Sequence, residues 1–369
     1  MKVLVAMDDS KFSQAALQAV VSQIRPADAE VRVLHVVAPL TVSASPQMAA
    51  AYAPELQDQI KTGHELVDRA AETLRAEGFE VDTSVYQADI REGILESAAH
   101  WGADLIVLGS RGRKGLPRFL LGSAAEFVAR HARCSVEIVR KQGKTGTGSA
   151  RKPGQRKEGM RVLLAIDDSR FSEAATQAVI AQDLPQGAEV KVVHVVDLAL
   201  PIPTSYAAGF RQESLKRGEE LVRRTEQLLA KVGYKVLTAV GEGDPRAKIV
   251  DQAKRWNADL VILGSHGRKG MEHFLMGSVS EAVARYAPCS VYIVRIPAQA
   301  PASLSHEKRK DVGVLVDRTQ MAAGMQPQRR TRVCNVCGKP YSSNICPTCA
   351  DRIRAEAIAR KKRKDKGEE

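Results

Sequence analysis

Aromatic residues are scarce in this chain: seven Phe, seven Tyr and two Trp among 369 residues. Its cores must therefore be built from Val, Ile, Leu and Ala. Long apolar runs are missing too. The amino terminus offers only Val3–Met7 before Asp8, too short for a signal-peptide core and far too short to span a bilayer. A cytoplasmic protein with no membrane partner is the expectation. Cysteine is sparse and unevenly placed. Cys134 and Cys289 stand alone, whereas Cys334, Cys337, Cys346 and Cys349 cluster in the last stretch. Without an export signal, such a cluster predicts a metal site rather than a disulfide framework.

The length suits two or three domains, and 44% hydrophobic with 27% charged residues is ordinary for a globular chain. Charge of one sign is confined to two segments. Residues 142–159 hold five basic residues against Glu158, and residues 298–369 hold sixteen against eight acidic. Together they account for the whole formal charge of +12, so the remainder is neutral. Basic appendages on neutral domains suggest contact with a polyanion, or simply a solvated linker and tail.

The chain repeats itself. Met1–Ser10 (MKVLVAMDDS) returns as Met160–Ser169 (MRVLLAIDDS), and Val33–Val37 returns as Val192–Val196. Gly109–Arg140 returns as Gly264–Arg295 with about two thirds of positions identical. A period near 155–159 residues is a duplicated domain, not a solenoid. In each copy short β-branched runs alternate with segments of helical spacing. The first copy predicts strands at 2–7, 30–37, 81–86, 105–108 and 135–139, with helices through 15–21, 56–74, 90–98 and 123–131. The second predicts strands at 163–166, 190–196, 236–240, 260–263 and 290–294. Five strands alternating with four helices imply an α/β fold with a five-stranded parallel sheet in each copy. Both faces of such a sheet are covered, and its site lies at the carboxyl ends of the strands.

After the fourth strand come Gly109-Ser110-Arg111-Gly112, nine residues, then Gly122-Ser123. The second copy has Gly264-Ser265-His266-Gly267, nine residues, then Gly277-Ser278. Glycines at a strand exit let backbone N–H groups approach a phosphate, and a helix start favours an anion. The serine hydroxyl either adds a hydrogen bond to the anion or caps the helix.

With Ala6-x-Asp8-x-Ser10 and Ala165-x-Asp167-x-Ser169, each copy resembles a complete domain of the universal stress protein family, ATP-binding subtype. Residues 1–141 and 160–296 carry the resemblance. It implies a Rossmann-like or flavodoxin-like fold and ATP or another adenine nucleotide as ligand. It also implies pairing of domains through the last strand, here within one chain or in a homodimer. Asp8 and Asp167 would contact ribose, beside Ala6 and Ala165, and Val36 and Val195 would contact adenine. Gly109, Gly112, Gly122, Ser123 and Ala124 would hold phosphate, matched by Gly264, Gly267, Gly277, Ser278 and Val279. Arg111 and Arg113 in the first copy, with His266 and Arg268 in the second, would sit against the phosphates. Arg111 departs from the histidine common in the family.

Blander readings stand beside these. Gly109 and Gly264 could serve only a tight turn, and Asp8 could cap the first helix. His35 and His194 read as structural, and Cys134 and Cys289 as core thiols. Gly143-Lys144-Thr145 lacks the strand–loop–helix context of a phosphate loop. No positioned base is evident, so slow ATP hydrolysis or self-phosphorylation at an unassigned serine is the most catalysis expected.

Cys334-x2-Cys337 and Cys346-x2-Cys349, eight residues apart, suit a closed tetrahedral Zn²⁺ site, with an iron centre or redox dithiol as the competing reading. The domains expected are 1–141, a basic linker 142–159, 160–297, a poorly ordered tether 298–332, the metal motif 333–350 and a basic helix 351–369. Three functions remain open: a nucleotide-sensing stress-response module, an adaptor whose tail binds nucleic acid or an acidic protein, and a slow ATPase or self-phosphorylating protein.

Overall fold

The apolar runs become strands in a computed structural model that describes residues 1–39, 46–112, 121–141, 159–197, 204–267 and 276–296, and the pairs 314–315, 332–333 and 340–341. Two units are present, Met1–Val316 and Asp317–Glu369. In the first repeat the strands are β1 (Lys2–Ala6), β2 (Glu30–Val37), β3 (Glu80–Gln87), β4 (Leu105–Gly109) and β5 (Ser135–Val139). Its helices are α1 (Lys11–Gln23), α2 (Pro46–Ala76), α3 (Ile90–Trp101) and α4 (Ser123–His131). The second repeat supplies β6 (Arg161–Ile166), β7 (Glu189–Val196), β8 (Lys235–Glu242), β9 (Leu260–Gly264) and β10 (Ser290–Val294). Its helices are α5 (Arg170–Ala181), α6 (Thr204–Lys231), α7 (Pro245–Arg255) and α8 (Ser278–Tyr286).

Helix starts follow local chemistry. Ser10 and Ser169 accept the N–H of Ser13 and Ser172, Asp89 accepts those of Arg91 and Glu92, and Asp244 that of Arg246. Each cap satisfies an orphan first-turn donor. The cap at Ser10 carries α1 further toward the amino end than apolar spacing alone predicts.

The strands run in the order β3-β2-β1-β4-β5-β10-β9-β6-β7-β8. The two five-stranded sheets join into one through their last strands, the pairing the family resemblance implies for a tandem chain. Neighbours are parallel except at the centre, where β5 meets β10 antiparallel, with Glu137 opposite Tyr292. One further two-residue strand, β11 (Val314–Leu315), lies within the expected tether and pairs antiparallel with Tyr86 and Gln87 on one outer edge.

Side chains alternate across the pleat. Val3, Val5, Val162 and Leu164 share one apolar layer with α1, α2 and α5, while Leu4, Ala6, Leu163 and Ala165 share the other with α3, α4 and α8. Both layers run through the two repeats without a break. The seam has near two-fold symmetry. The Arg140 N–H donates to Ser290 Oγ and the Arg295 N–H to Ser135 Oγ, each at 3.1 Å. The Arg140 guanidinium donates to the Ala284 carbonyl and that of Arg295 to the Ala129 carbonyl, each at 2.7 Å. Arg130 pairs with Glu281, and Arg285 with Glu126. In the second unit, β12 (Arg332–Val333) pairs antiparallel with β13 (Pro340–Tyr341).

Candidate functional site

β1 and β4 are parallel neighbours, yet the helices that follow them leave on opposite faces, α1 into one apolar layer and α4 into the other. That divergence opens a crevice beyond the carboxyl ends of the strands, the usual place for a ligand in such sheets. β6 and β9 repeat the arrangement with α5 and α8.

Asp8 stands in this crevice. Its Oδ1 accepts the Ser13 hydroxyl at 2.5 Å and the Ser10 N–H at 3.1 Å, and its own N–H donates to Ser13 Oγ at 3.0 Å. Asp167 is held likewise: Oδ1 accepts the hydroxyls of Ser169 at 2.5 Å and Ser172 at 2.7 Å. The caps are Ser10 and Ser169, so the reading of Asp8 as the helix cap is corrected. Its Oδ2 turns toward Gly112, where a Cβ would come within 2.8 Å of it. In the second repeat a Cβ on Gly267 would come within 2.7 Å of Asp167 Oδ2. Ser13 and Ser172, which position the aspartates, were passed over in the sequence. The S-x-x-S spacing kept in both copies was the available signal.

The other glycines differ in what they face. Gly109 and Gly264 end their strands against α1 and α5, where a Cβ would lie 2.8 Å and 2.6 Å from the Cβ of Phe12 and Phe171. Packing alone accounts for them. The Gly122 and Gly277 N–H groups donate to the carbonyls of Ser110 and Ser265, each at 2.8 Å. These glycines are the N-caps of α4 and α8, which makes Ser123 and Ser278 the first helical residues and not the caps. The amides of the opening turn, Ser123-Ala124 and Ser278-Val279, have no acceptor inside their helix, and the helix dipole adds positive potential there.

Ala6, Val36, Ala165 and Val195 belong to one buried apolar layer. Beside the second site lies a cleft of about 290 Å³ bounded by Asp197, the start of α7 at Asp244–Arg246, and Ser278–Val279. A larger trough of about 930 Å³ opens at the opposite ends of the strands, near Lys2, Asp28, Glu80 and Asp104. Size is therefore no guide to the site.

The two copies differ beside the first glycine. Ser265 Oγ lies 3.1 Å from His266 Nδ1, and His266 packs on Phe171 at 5.1 Å. Arg111 instead places its guanidinium 5.0 Å over Phe12, and the buried Ser110 Oγ has no hydrogen-bond partner among the described residues. Arg113, Arg268 and the four clustered cysteines lie outside the described residues. His35 Nδ1 is 2.7 Å from the Met7 carbonyl and His194 Nδ1 is 2.9 Å from that of Ile166, both buried. The recurrent histidine ties adjacent strand ends together. Cys289 is buried, and burial pushes the Cys134 thiol up to about 11, so neither resembles an activated nucleophile. Among the described residues no group of three or more His, Cys, Asp or Glu could hold a metal, and no helix is long and apolar enough to cross a membrane.

Comparison with known proteins shows what the two repeats are similar to. Residues 1–140 and 160–295 match the model of the universal stress protein family. A universal stress protein of Mycolicibacterium smegmatis is 29% identical over 301 residues, covering 79% of this chain and 96% of the relative. One from Methanocaldococcus jannaschii is 34% identical over 142 residues, covering 37% of this chain and 82% of the relative. The crystal structure of a universal stress protein from Archaeoglobus fulgidus superposes with a TM-score of 0.54 at 21% identity, over 80% of this chain and 96% of that one. The last likeness is one of fold.

Proposed function

The chain belongs to the universal stress protein family, and on that premise we propose that it is a stress-response regulatory module binding one adenine nucleotide, ATP, in each repeat. One observation carries the reading. Asp8 Oδ2 and Gly112 meet so closely that no side chain fits between them, and Asp167 and Gly267 repeat the contact. A carboxylate held in place by serine hydroxyls suits the paired hydroxyls of a ribose. The side-chain-free backbone beside it, with the opening turn of α4 or α8, suits phosphate. Ala6 with Val36, and Ala165 with Val195, supply apolar surface for the base. Isothermal calorimetry with ATP tests this: two sites are expected in the full chain, lost in the double variant Gly122→Val with Gly277→Val. A well-folded protein that takes up no nucleotide would overturn it.

The tail is the second element of the proposal. Cys334, Cys337, Cys346 and Cys349 hold Zn²⁺, and the basic segment 351–369 recruits nucleic acid or an acidic protein. Support comes from the pairing of Arg332–Val333 with Pro340–Tyr341. In the sequence Cys334 and Cys337 lie between those two strands, and Cys346 and Cys349 follow them. The domain limits proposed are 1–141, 160–297 and 333–350.

A further inference from the structure

The seam between the repeats is close to two-fold symmetric, with two departures: the ion pair of Arg25 with Asp183 at its rim and the residue pair on its axis. Gln23 at the end of α1 and Gln182 just beyond α5 are equivalents, as are Arg140 and Arg295, Ser135 and Ser290, and the crossed pairs Arg130–Glu281 and Arg285–Glu126. The central cross-strand pair is Glu137 on β5 and Tyr292 on β10. These two positions correspond in the repeat, yet one is a carboxylic acid and the other a phenol. Both are buried, at 2% and 6% exposure. Gln23 Nε2 donates to Glu137 Oε1 at 3.1 Å, and Gln182 Nε2 donates to Gln23 Oε1 at 3.5 Å. Val107 of β4 flanks Glu137 on its other side.

We propose that the Glu137–Tyr292 pair makes this seam accept only unlike partners, so that the first repeat pairs with the second and neither pairs with its own kind. Self-pairing of the first repeat would set Glu137 against a second Glu137. Directly opposed residues lie about 5 Å apart, and two carboxylates at that distance in a dry seam cannot both ionise. Self-pairing of the second would put two phenol rings where the seam packs one ring beside a carboxyl, an overfilled site. The backbone and arginine contacts Arg140–Ser290, Arg295–Ser135, Arg130–Glu281 and Arg285–Glu126 are two-fold symmetric and would survive either exchange, whereas the exposed Arg25–Asp183 ion pair at 3.0 Å is made only between unlike repeats and adds a surface pair of small worth. Discrimination thus falls on the axis pair. One chain closes its own β5–β10 seam, and a second chain must dock elsewhere.

Two experiments on the full chain test this. In the first, melting temperatures are compared at about pH 5 and about pH 8 for the wild type, Tyr292→Glu, and the exchange Glu137→Tyr with Tyr292→Glu. The titratable neighbour of Glu137 across the seam is Tyr292; Cys134 and Asp104 act on the Tyr292 hydroxyl, not on Glu137. Tyr292→Glu is expected to lose more at the higher pH, since opposed carboxyls tolerate each other only when protonated, and the exchange is expected to restore the wild-type profile. An equal loss at both pH values, or an exchange no better than the single variant, would overturn the proposal. In the second, a protease site placed within 142–159 is cut, the protein is refolded from urea, and its pairs are weighed by native mass spectrometry. Unlike pairs should exceed like pairs by about tenfold, an advantage of roughly 1.4 kcal/mol. Glu137→Gln, which removes the charge conflict, should raise first-repeat self-pairs at about pH 8. Even reassortment of wild-type halves, or halves that do not pair, would count against the selectivity.

Discussion

Asp8 and Gly112 touch across the crevice between β1 and β4: a Cβ added to Gly112 would lie 2.8 Å from Asp8 Oδ2. The backbone of Gly112 is not in the left-handed region, so this glycine is required for space and not for conformation. Its side chain is absent because a carboxylate occupies the place, and that carboxylate is fixed by Ser13 and Ser10. The same relation between Asp167 and Gly267 makes it a property of the repeat.

Gly112→Ala should push the Asp8 carboxylate out of line without unfolding the sheet, because a carboxylate end can swing. The expected result is a roughly tenfold weaker first nucleotide site, or about 1.4 kcal/mol, with the second site unchanged. Calorimetry with ATP reads both sites in one titration. Equal weakening of the two would show that the effect is not local.

Gly109→Ala should behave differently. Its Cβ would meet the Phe12 backbone carbonyl carbon at 2.8 Å, and the backbone of α1 cannot swing aside. A loss of about 1–3 kcal/mol of folding stability is expected from overpacking, measured by urea unfolding. Gly264→Ala, facing the Phe171 backbone at 2.9 Å, should lose a similar amount.

Burial pushes the Glu137 carboxyl from 4.5 up to about 7, partly opposed by the Gln23 hydrogen bond. The folded state therefore keeps this proton up to about pH 7, while the unfolded chain releases it near 4.5. Stability should fall as pH rises through that window and level off above it. Glu137→Gln should abolish this contribution. Relative to its own value at low pH, the variant should hold about 3 kcal/mol more stability than wild type at about pH 8. Urea unfolding across the pH range checks the sign: a wild type that gains stability through the same window would contradict the burial argument.

His35→Ala should lower stability by about 2–4 kcal/mol, since it leaves a cavity against Gly63 and deprives the buried Met7 carbonyl of its partner. ATP affinity of the variant that remains folded should hold, because the imidazole faces the strand ends and α2. A selective loss of affinity with unchanged melting temperature would give this histidine a role at the site instead.

Native mass spectrometry of the purified protein should find one zinc per chain, and Cys334→Ser with Cys337→Ser should remove it. A wild-type mass without metal would leave the four cysteines as thiols and refute the proposed tail site.

Much of the fold was legible because its signals are local. Ser135–Val139 (SVEIV) and Ser290–Val294 (SVYIV) are Val- and Ile-rich runs that start on a serine and stop before an arginine, and both appear as strands at those limits. Glu30–Val37 likewise runs as read. The glycine spacing located the crevice, because Gly109 and Gly264 end strands, Gly122 and Gly277 begin helices, and Gly112 and Gly267 follow the strand ends closely. Individual roles were less legible. Gly109 and Gly112 look alike in the motif, but one faces Phe12 and the other Asp8. The difference depends on α1, a hundred residues away along the chain. Nor did the sequence distinguish Asp8 from Ser10 as the cap, since both are good capping types and only the helix geometry separates them.

Duplication, alternating strands and helices, and the repeated glycine spacing were determined by the sequence, through hydrophobic periodicity and residues that stop or start elements. Tertiary structure decided that this last-strand pairing closes within one chain, that Gln23 and Gln182 meet, and that Glu137 faces Tyr292. Those facts concern which strand edges pair and in what register. β5 and β10 are the last strands of two similar repeats, so the residues along either strand do not say which residue of the other will face them or in what register. The answer came from unlike side chains brought into one desolvated place, where charge and volume must be satisfied together.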